Sequence, residues 1–165
     1  MKFSTKSKNL EILRNLNLKK SSIPKFISVK VYEWSENSQV FKNLKRKLKD
    51  RITIRSSFFL EDNKYSSMAG EFDSFTNIKN NKKNISYYAN NLINQYKKKS
   101  VLKKHYLQSE ILFQNYIGNS SISGVVTNRC LKDGTDYYVI NYDDETQNTQ
   151  SVTSGNEKGS RVLNV

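Results

Sequence analysis

The chain has 165 residues, of which 36% are hydrophobic and 12% aromatic, and it carries a formal net charge of +13. This length suffices for a domain with its own hydrophobic core. No run approaches the roughly 20 apolar residues of a membrane-spanning helix, and the first residues lack the apolar segment of a secretion signal. The single cysteine, Cys130, excludes an internal disulfide, so we expect a cytoplasmic protein.

Positive charge is concentrated in the first part of the chain. The net charge is +9 over residues 1–50, +7 over residues 51–130 and −3 over residues 131–165. A basic chain favours anionic partners, such as nucleotides, nucleic acids or acidic lipids. The excess accompanies many Lys, Asn, Ile and Tyr residues, so a general compositional bias is the alternative explanation.

Apolar spacing and turn residues predict a mixture of helices and strands. In chain order, these elements are a helix over residues 6–18, a strand over 26–32, a helix over 36–49, strands over 52–58 and 72–78, a helix from 85 to the lysines at 97–99, and strands over 111–117, 122–127, 137–142 and 151–154. The first helix is indicated by Leu10, Leu13 and Leu16, which follow a three-to-four spacing. Beyond residue 155 we expect a polar, irregular segment. This order of elements predicts an α+β fold.

The segment from Ile52 to Ile78 has the residues of an anion-binding site. Its first strand delivers Arg55 and two serines, and an acidic pair and a small-residue turn at 66–70 follow. The planar guanidinium group suits phosphate oxygens, while the backbone of a turn with Ala and Gly can approach an anion closely. The alternative is that Arg55 pairs with Glu61 or Asp62 across the turn.

Residues 54–57, 61–62 and 67–72 resemble a motif that reads V-R-S-S, then E-D, then S-F-A-G. It belongs to the N-terminal nucleotide-binding domain of phosphoenolpyruvate synthase, pyruvate phosphate dikinase and related ATP-dependent phosphotransferases. Residues 112–117 and 123–127 resemble further motifs of this family, so that the resemblance covers nearly the whole chain.

The resemblance implies a set of ATP-binding residues. Lys6, in a Lys-x-x-x-Leu pattern on the first helix, would reach the phosphates, although Ser4-Thr5 stand where family members have two glycines. The turn at 67–70 would cover the triphosphate, and a glutamine on a later strand would lie near the adenine. The complete set is Lys6, Arg55, Ser56, Ser67, Ala69, Gly70 and Gln114.

By resemblance, the fold is the N-terminal part of an ATP-grasp domain, with mixed or antiparallel sheets flanked by helices. Residues 1–108 would form the first lobe, and residues 109–165 would begin a second, strand-rich and truncated lobe. The metal-binding acidic residue, a second arginine and a histidine-carrying domain would lie beyond Val165. In the family, ATP with Mg²⁺ phosphorylates that histidine, which passes the phosphate to a small acceptor. The candidate acceptor is the amide of L-glutamine, as in the glutamine kinases of capsule phosphoramidate synthesis.

Two other polar groups are given no part in catalysis. His105 follows a lysine pair in a region predicted as a helix or helix end, and we interpret it as an ordinary surface or half-buried histidine. Asp143, Asp144 and Glu145 have oxygen ligands that suit Mg²⁺, but we interpret them as an exposed acidic turn. The sequence therefore predicts no catalytic residue and no metal ligand within the chain.

Two alternatives to a working kinase domain remain. The first is a basic nucleic-acid-binding module, in which the cations of residues 42–49 follow phosphates while tyrosines stack on bases. The second is a fragment that binds nucleotide and is catalytically inert.

Overall fold

The computed structural model describes residues 5–16, 18–34, 38–59, 70–130, 133–146, 152 and 160–165. The chain divides into two compact units, Met1–Tyr116 and Ile117–Val165. The elements are α1 (Lys6–Asn15), β1 (Phe26–Lys30), α2 (Ser38–Lys47), β2 (Arg51–Ser57), β3 (Ser74–Lys79), α3 (Lys82–Lys99), α4 (Lys103–Gln108), β4 (Glu110–Asn115), β5 (Ser123–Thr127), β6 (Val139–Asp143) and β7 (Ser160–Asn164).

The first unit is built on a four-stranded antiparallel sheet with the strand order β1-β4-β2-β3. Strand β4 lies between β1 and β2, where Ile54 pairs with Phe113 and Ser57 pairs with Glu110. Because side chains alternate along a strand, Ile54 and Phe113 share one face while Ser57 and Glu110 share the other. The first of these faces is the core face.

Helices α2 and α3 supply the other half of this core. Residues Ile85, Ala89, Leu92, Ile93 and Tyr96 of α3 are buried, as the helical spacing of the sequence predicts. Helix α3 begins after Asn81, whose side chain accepts a hydrogen bond from the backbone N–H of Asn84 at 2.9 Å, and this bond satisfies a helix-terminal donor. Phe41, Leu44 and Leu48, in or just after α2, belong to the same core.

An aromatic group closes this core near the end of β2. The rings of Phe58, Phe72 and Tyr96 have centroids 4.9–5.2 Å apart. The hydroxyl of Tyr96 accepts a hydrogen bond from the backbone N–H of Ser57 at 3.0 Å and donates one to the backbone carbonyl of Glu110 at 2.8 Å. Helix α3 is thereby bonded to both central strands, at the position where Ser57 and Glu110 pair.

Helix α1 lies where the sequence predicts a helix, and it buries a polar residue. Its buried residue is Ser7, whereas Leu13 is 41% and Leu16 55% exposed. The leucine spacing thus indicates the helix but not its buried side, because the helix attaches to the sheet by polar contacts at its start. Near its end, the guanidinium of Arg14 lies 4.9 Å above the ring of Phe26 on β1.

The second unit contains a three-stranded antiparallel sheet with the order β5-β6-β7. The prediction of an irregular segment beyond residue 155 is wrong at residues 160–164, because β7 finds a pairing partner in β6 that local sequence does not show. Of the strand predicted over 151–154, Val152 lies in a turn, and the other residues fall outside the part of the chain that the structure describes.

The mixture of helices and antiparallel sheets is α+β, as the sequence predicts. The sequence-based division of the lobes lies after residue 108, whereas the compact units divide after Tyr116. The difference arises because β4 is hydrogen-bonded within the first sheet. Across the described ranges, no helix is both long enough and apolar enough to cross a lipid bilayer.

We predict that Tyr96→Phe lowers the free energy of unfolding by about 1–3 kcal/mol, because the buried N–H of Ser57 and the carbonyl of Glu110 lose their partner. Urea unfolding followed by circular dichroism measures this loss. The matched control is Tyr87→Phe on the same helix, where the side chain is 66% exposed and the change should stay within about 0.5 kcal/mol. Equal effects of the two substitutions would contradict the bonding role given to Tyr96.

Candidate functional site

The candidate site lies where α1 begins and β2 ends. The Nζ atom of Lys6, the first residue of α1, lies 3.4 Å from the hydroxyl oxygen of Ser56 and donates a hydrogen bond to it. The backbone N–H of Ser7 donates to the hydroxyl of Ser57 at 3.1 Å. The structure therefore brings together Lys6 and Ser56, two of the residues predicted from the sequence to bind nucleotide.

Arg55 and Gln114 share one face of the sheet. Arg55 pairs with Leu112 on β4 and Thr53 pairs with Gln114, so Arg55 and Gln114 are diagonal neighbours on the face opposite the core, about 7–8 Å apart. Arg55 is exposed and Gln114 half-buried. A ligand on this face would therefore meet a cation beside an amide that can both donate and accept hydrogen bonds.

The small-residue turn is described only at its end. Gly70 is exposed and has φ = +81°, a backbone conformation that residues other than glycine rarely adopt. A Cβ atom at this position would meet nothing within 4 Å, so the backbone conformation, and not space, requires the glycine. Ser67 and Ala69 lie outside the described residues, as do Glu61 and Asp62, so their expected contacts stay predictions.

A polar network that the sequence does not reveal fixes the start of α1. The carboxylate of Glu110, at the beginning of β4, accepts hydrogen bonds from the hydroxyl of Thr5 at 3.3 Å and from the hydroxyl of Ser7. The hydroxyl of Ser57 in turn donates to that of Ser7 at 3.1 Å. Ser7 and Ser57 are fully buried. Glu110 looks in the sequence like a charged residue before an apolar strand, and only the folded structure brings its carboxylate to Thr5 and Ser7.

The chemistry available at this site is anion binding. Lys6 and Arg55 provide two cations near the end of β2, and the buried hydroxyl of Ser56 is the neutral group beside Lys6. Phosphate oxygens are bound by such combinations of charged and neutral donors. In the described part of the chain, no group of three or more His, Cys, Asp and Glu side chains could hold a metal ion.

His105 occupies α4, as expected, and is half-buried. Its ring stacks on that of Phe59 with centroids 6.2 Å apart. Its Nδ1 atom is buried and has no hydrogen-bond partner among the described residues. This packing agrees with the interpretation of an ordinary half-buried histidine.

The acidic turn after β6 is stabilised from within the second unit. Asp144 and Glu145 are exposed and pair with Arg161 at 3.3 and 3.0 Å, as expected of an acidic turn. Asp143, in contrast, is fully buried, and its carboxylate accepts hydrogen bonds from the backbone N–H groups of Glu145 and Thr146, both at 2.9 Å. The expectation of exposure is therefore wrong for Asp143, because the carboxylate satisfies the backbone of its own turn.

Cys130 is hydrogen-bonded to a second polar segment, residues 133–137, through the backbone of Gly134 and Thr135. The pKa of Asp133 falls to about 2, because the backbone N–H and the hydroxyl of Thr135 and the thiol of Cys130 donate hydrogen bonds to its carboxylate. A hydrogen bond with Cys130 raises the pKa of Tyr137 to about 12. Asp133 thus favours the folded turn above its usual pKa of 3.8, and this contribution is lost as the pH falls toward 2.

The chain matches a known protein family over most of its length. The family model described as "pyruvate phosphate dikinase, AMP/ATP-binding domain" matches residues 8–142. The chain belongs to this family. The AMP/ATP-binding domains of the dikinase family are parts of kinases and other phosphotransferases, so the chain is a nucleotide-binding domain of that class.

The match locates the candidate site within the AMP/ATP-binding domain. It includes Arg55, Ser56, Gly70 and Gln114, whereas Lys6 precedes it by two residues. The position of Lys6 beside Ser56 therefore comes from the structure and not from the family match. Neither a curated protein nor a solved structure matches the chain significantly.

We predict that Asp143→Asn destabilises the second unit by about 1–3 kcal/mol, because the backbone N–H groups exchange a charged acceptor for a neutral amide oxygen and an amide nitrogen replaces the oxygen that accepts from the Thr146 hydroxyl. Hydrogen exchange of the β6 and β7 amides measures this change. Asp144→Asn is the control, since an exposed ion pair contributes about 0–1 kcal/mol. If the control costs as much as Asp143→Asn, the turn does not depend on the buried carboxylate.

Proposed function

We propose that the first unit binds ATP on the face of the sheet where α1 begins, as the nucleotide-binding part of a cytoplasmic kinase of the phosphoenolpyruvate synthase and dikinase type. In this proposal, Lys6, Arg55 and Ser56 hold the phosphates. The turn with Ser67, Ala69 and Gly70 covers them, and Gln114 lies toward the adenine.

The observation that carries the proposal is the contact between Lys6 and Ser56. Fifty residues separate them in sequence, yet the Nζ atom lies 3.4 Å from the serine oxygen, and Arg55 precedes that serine on the strand. An ammonium group and a guanidinium group near one strand end offer charged donors to an anion. The phosphates of a nucleotide supply such an anion, and the family match makes ATP or AMP the nucleotide.

In this proposal, Mg²⁺ binds together with ATP, because phosphoryl transfer needs cations that offset the charge of the phosphates. The oxygen-rich phosphates themselves are ligands that Mg²⁺ prefers. No residue of this chain is assigned as a ligand of the ion. Lys6 and Arg55 would add their own charges by binding and orienting the phosphates.

For the parent enzyme, we propose that the phosphate passes to a histidine on a separate domain and from there to a small acceptor. The support is the resemblance of the motif at residues 54–72 to those of phosphoenolpyruvate synthase and related enzymes. The amide of L-glutamine is the candidate acceptor. In this proposal, the described side chains at the site bind the nucleotide, and none is assigned to binding the acceptor.

The first test is binding of an ATP analogue with Mg²⁺ to the full chain, measured by isothermal titration calorimetry. We expect Arg55→Ala to weaken binding about tenfold or more, because a charged hydrogen bond to phosphate is lost. Arg51→Ala is the matched control, since Arg51 is exposed on the same strand and about 13 Å away. This distance exceeds the range of unscreened charge interactions at about 0.1 M salt.

Two results would contradict the proposal. One is absence of saturable ATP binding, and the other is equal weakening by Arg51→Ala and Arg55→Ala. The salt dependence separates ATP binding from nucleic-acid binding, because binding through many phosphates falls steeply with salt and would not depend on Arg55 in particular.

A further inference from the structure

We propose that Glu110 is a positioning residue for the ATP site, which holds Lys6 in place through the hydroxyl groups of Thr5, Ser7 and Ser57. This inference rests on the proposed ATP-binding function. Glu110 lies outside the set of residues predicted to bind nucleotide and has no contact assigned to the ligand.

The hydrogen bonds between α1, Ser57 and Glu110 run in one direction, toward the carboxylate of Glu110. The hydroxyl of Ser57 accepts from the backbone N–H of Ser7 at 3.1 Å and passes its own hydrogen to the hydroxyl of Ser7 at 3.1 Å. The hydroxyl of Ser7 then donates to the carboxylate of Glu110, as does that of Thr5 at 3.3 Å. The donors converge on the carboxylate, so the orientation of each hydroxyl depends on an acceptor at Glu110.

The start of helix α1 lacks local capping groups, so a contact with the sheet can act as its anchor. Thr5, at the N-cap position, makes no side-chain capping hydrogen bond, and the first turn contains no acidic residue. A negative group near a helix N-terminus is favourable, and the carboxylate of Glu110 supplies it from the neighbouring sheet. Because Ser7 is the buried residue of α1, we infer that this polar contact, and not apolar packing, fixes the start of the helix.

Lys6 connects this anchor, the contact of Glu110 with Thr5 and Ser7, to the proposed nucleotide site. Lys6 lies between Thr5 and Ser7, both of which donate to Glu110, and its Nζ atom reaches Ser56. The backbone of Glu110 is itself fixed, because it pairs with Ser57 and its carbonyl accepts from Tyr96. Loss of the carboxylate would release the first turn of α1 and leave the sheet intact.

If Glu110 acted on the phosphates only through its charge, its substitution would change the ATP affinity in the opposite direction. A carboxylate near the phosphates would repel them, so its neutralisation would tighten ATP binding. The hydrogen bonds from Thr5 and Ser7 offset part of that charge, and we expect the loss of positioning to outweigh the loss of repulsion. The sign of the change therefore separates the two roles.

The experiment is a double-mutant cycle on the full chain, with Mg²⁺ and an ATP analogue titrated by calorimetry. We expect Glu110→Gln to weaken binding about fivefold in the unsubstituted chain, because the hydroxyls of Thr5 and Ser7 exchange a charged acceptor for a neutral amide oxygen. In a chain that already carries Lys6→Ala, the same substitution should change binding less than about twofold, because Glu110 acts through Lys6. Glu11→Gln, at an exposed position of α1, is the matched control and should leave the affinity unchanged.

A second variant covers the case in which Glu110→Gln disturbs folding. Ser7→Ala removes the hydroxyl link and keeps the carboxylate, and it should show the same dependence on Lys6. Equal weakening in both backgrounds overturns the positioning role, as does tighter binding by Glu110→Gln. Absence of Arg55-dependent ATP binding in the unsubstituted chain is a different result, which overturns the proposed function together with this inference.

Discussion

The pairing of β2 with β4 is the constraint on which the first unit depends. It places Ile54 opposite Phe113 on the core face and Arg55 opposite Leu112 on the other face. A shift of one residue would turn each of these side chains to the wrong side of the sheet. The apolar core therefore fixes the register, and the register in turn fixes where the polar side chains of the candidate site lie.

This dependence explains why the site combines residues that are far apart in sequence. Glu110 meets Ser57 because they are cross-strand partners, and Lys6 meets Ser56 because α1 begins beside the end of β2. The family match assigns nucleotide binding to this fold. The structure adds a description of how the first turn of α1 is attached to the sheet.

The parts that sequence reasoning predicted correctly are those with local signals. Helix α3 follows from the spacing of Ile85, Ala89 and Leu92, since a period of 3.6 residues is a property of adjacent turns. The family follows from a motif whose residues are close in the chain, and the match over residues 8–142 confirms it. The network around Glu110 and strand β7 depends on pairing between distant segments, which a single sequence does not show. The buried side of α1 could not be predicted, because the leucine spacing indicates a helix but not the side that packs.

The polar attachment of α1 has a consequence for the dynamics of the domain. Leu13 and Leu16 are exposed and Ser7 is the buried residue of the helix, so opening α1 exposes little additional apolar surface. A segment of this kind can unfold locally at a smaller free energy than the sheet beneath it. If nucleotide binding requires Lys6 in place, the measured affinity includes the equilibrium between open and closed forms of α1. Ligand binding and local folding of the first helix would then be thermodynamically linked.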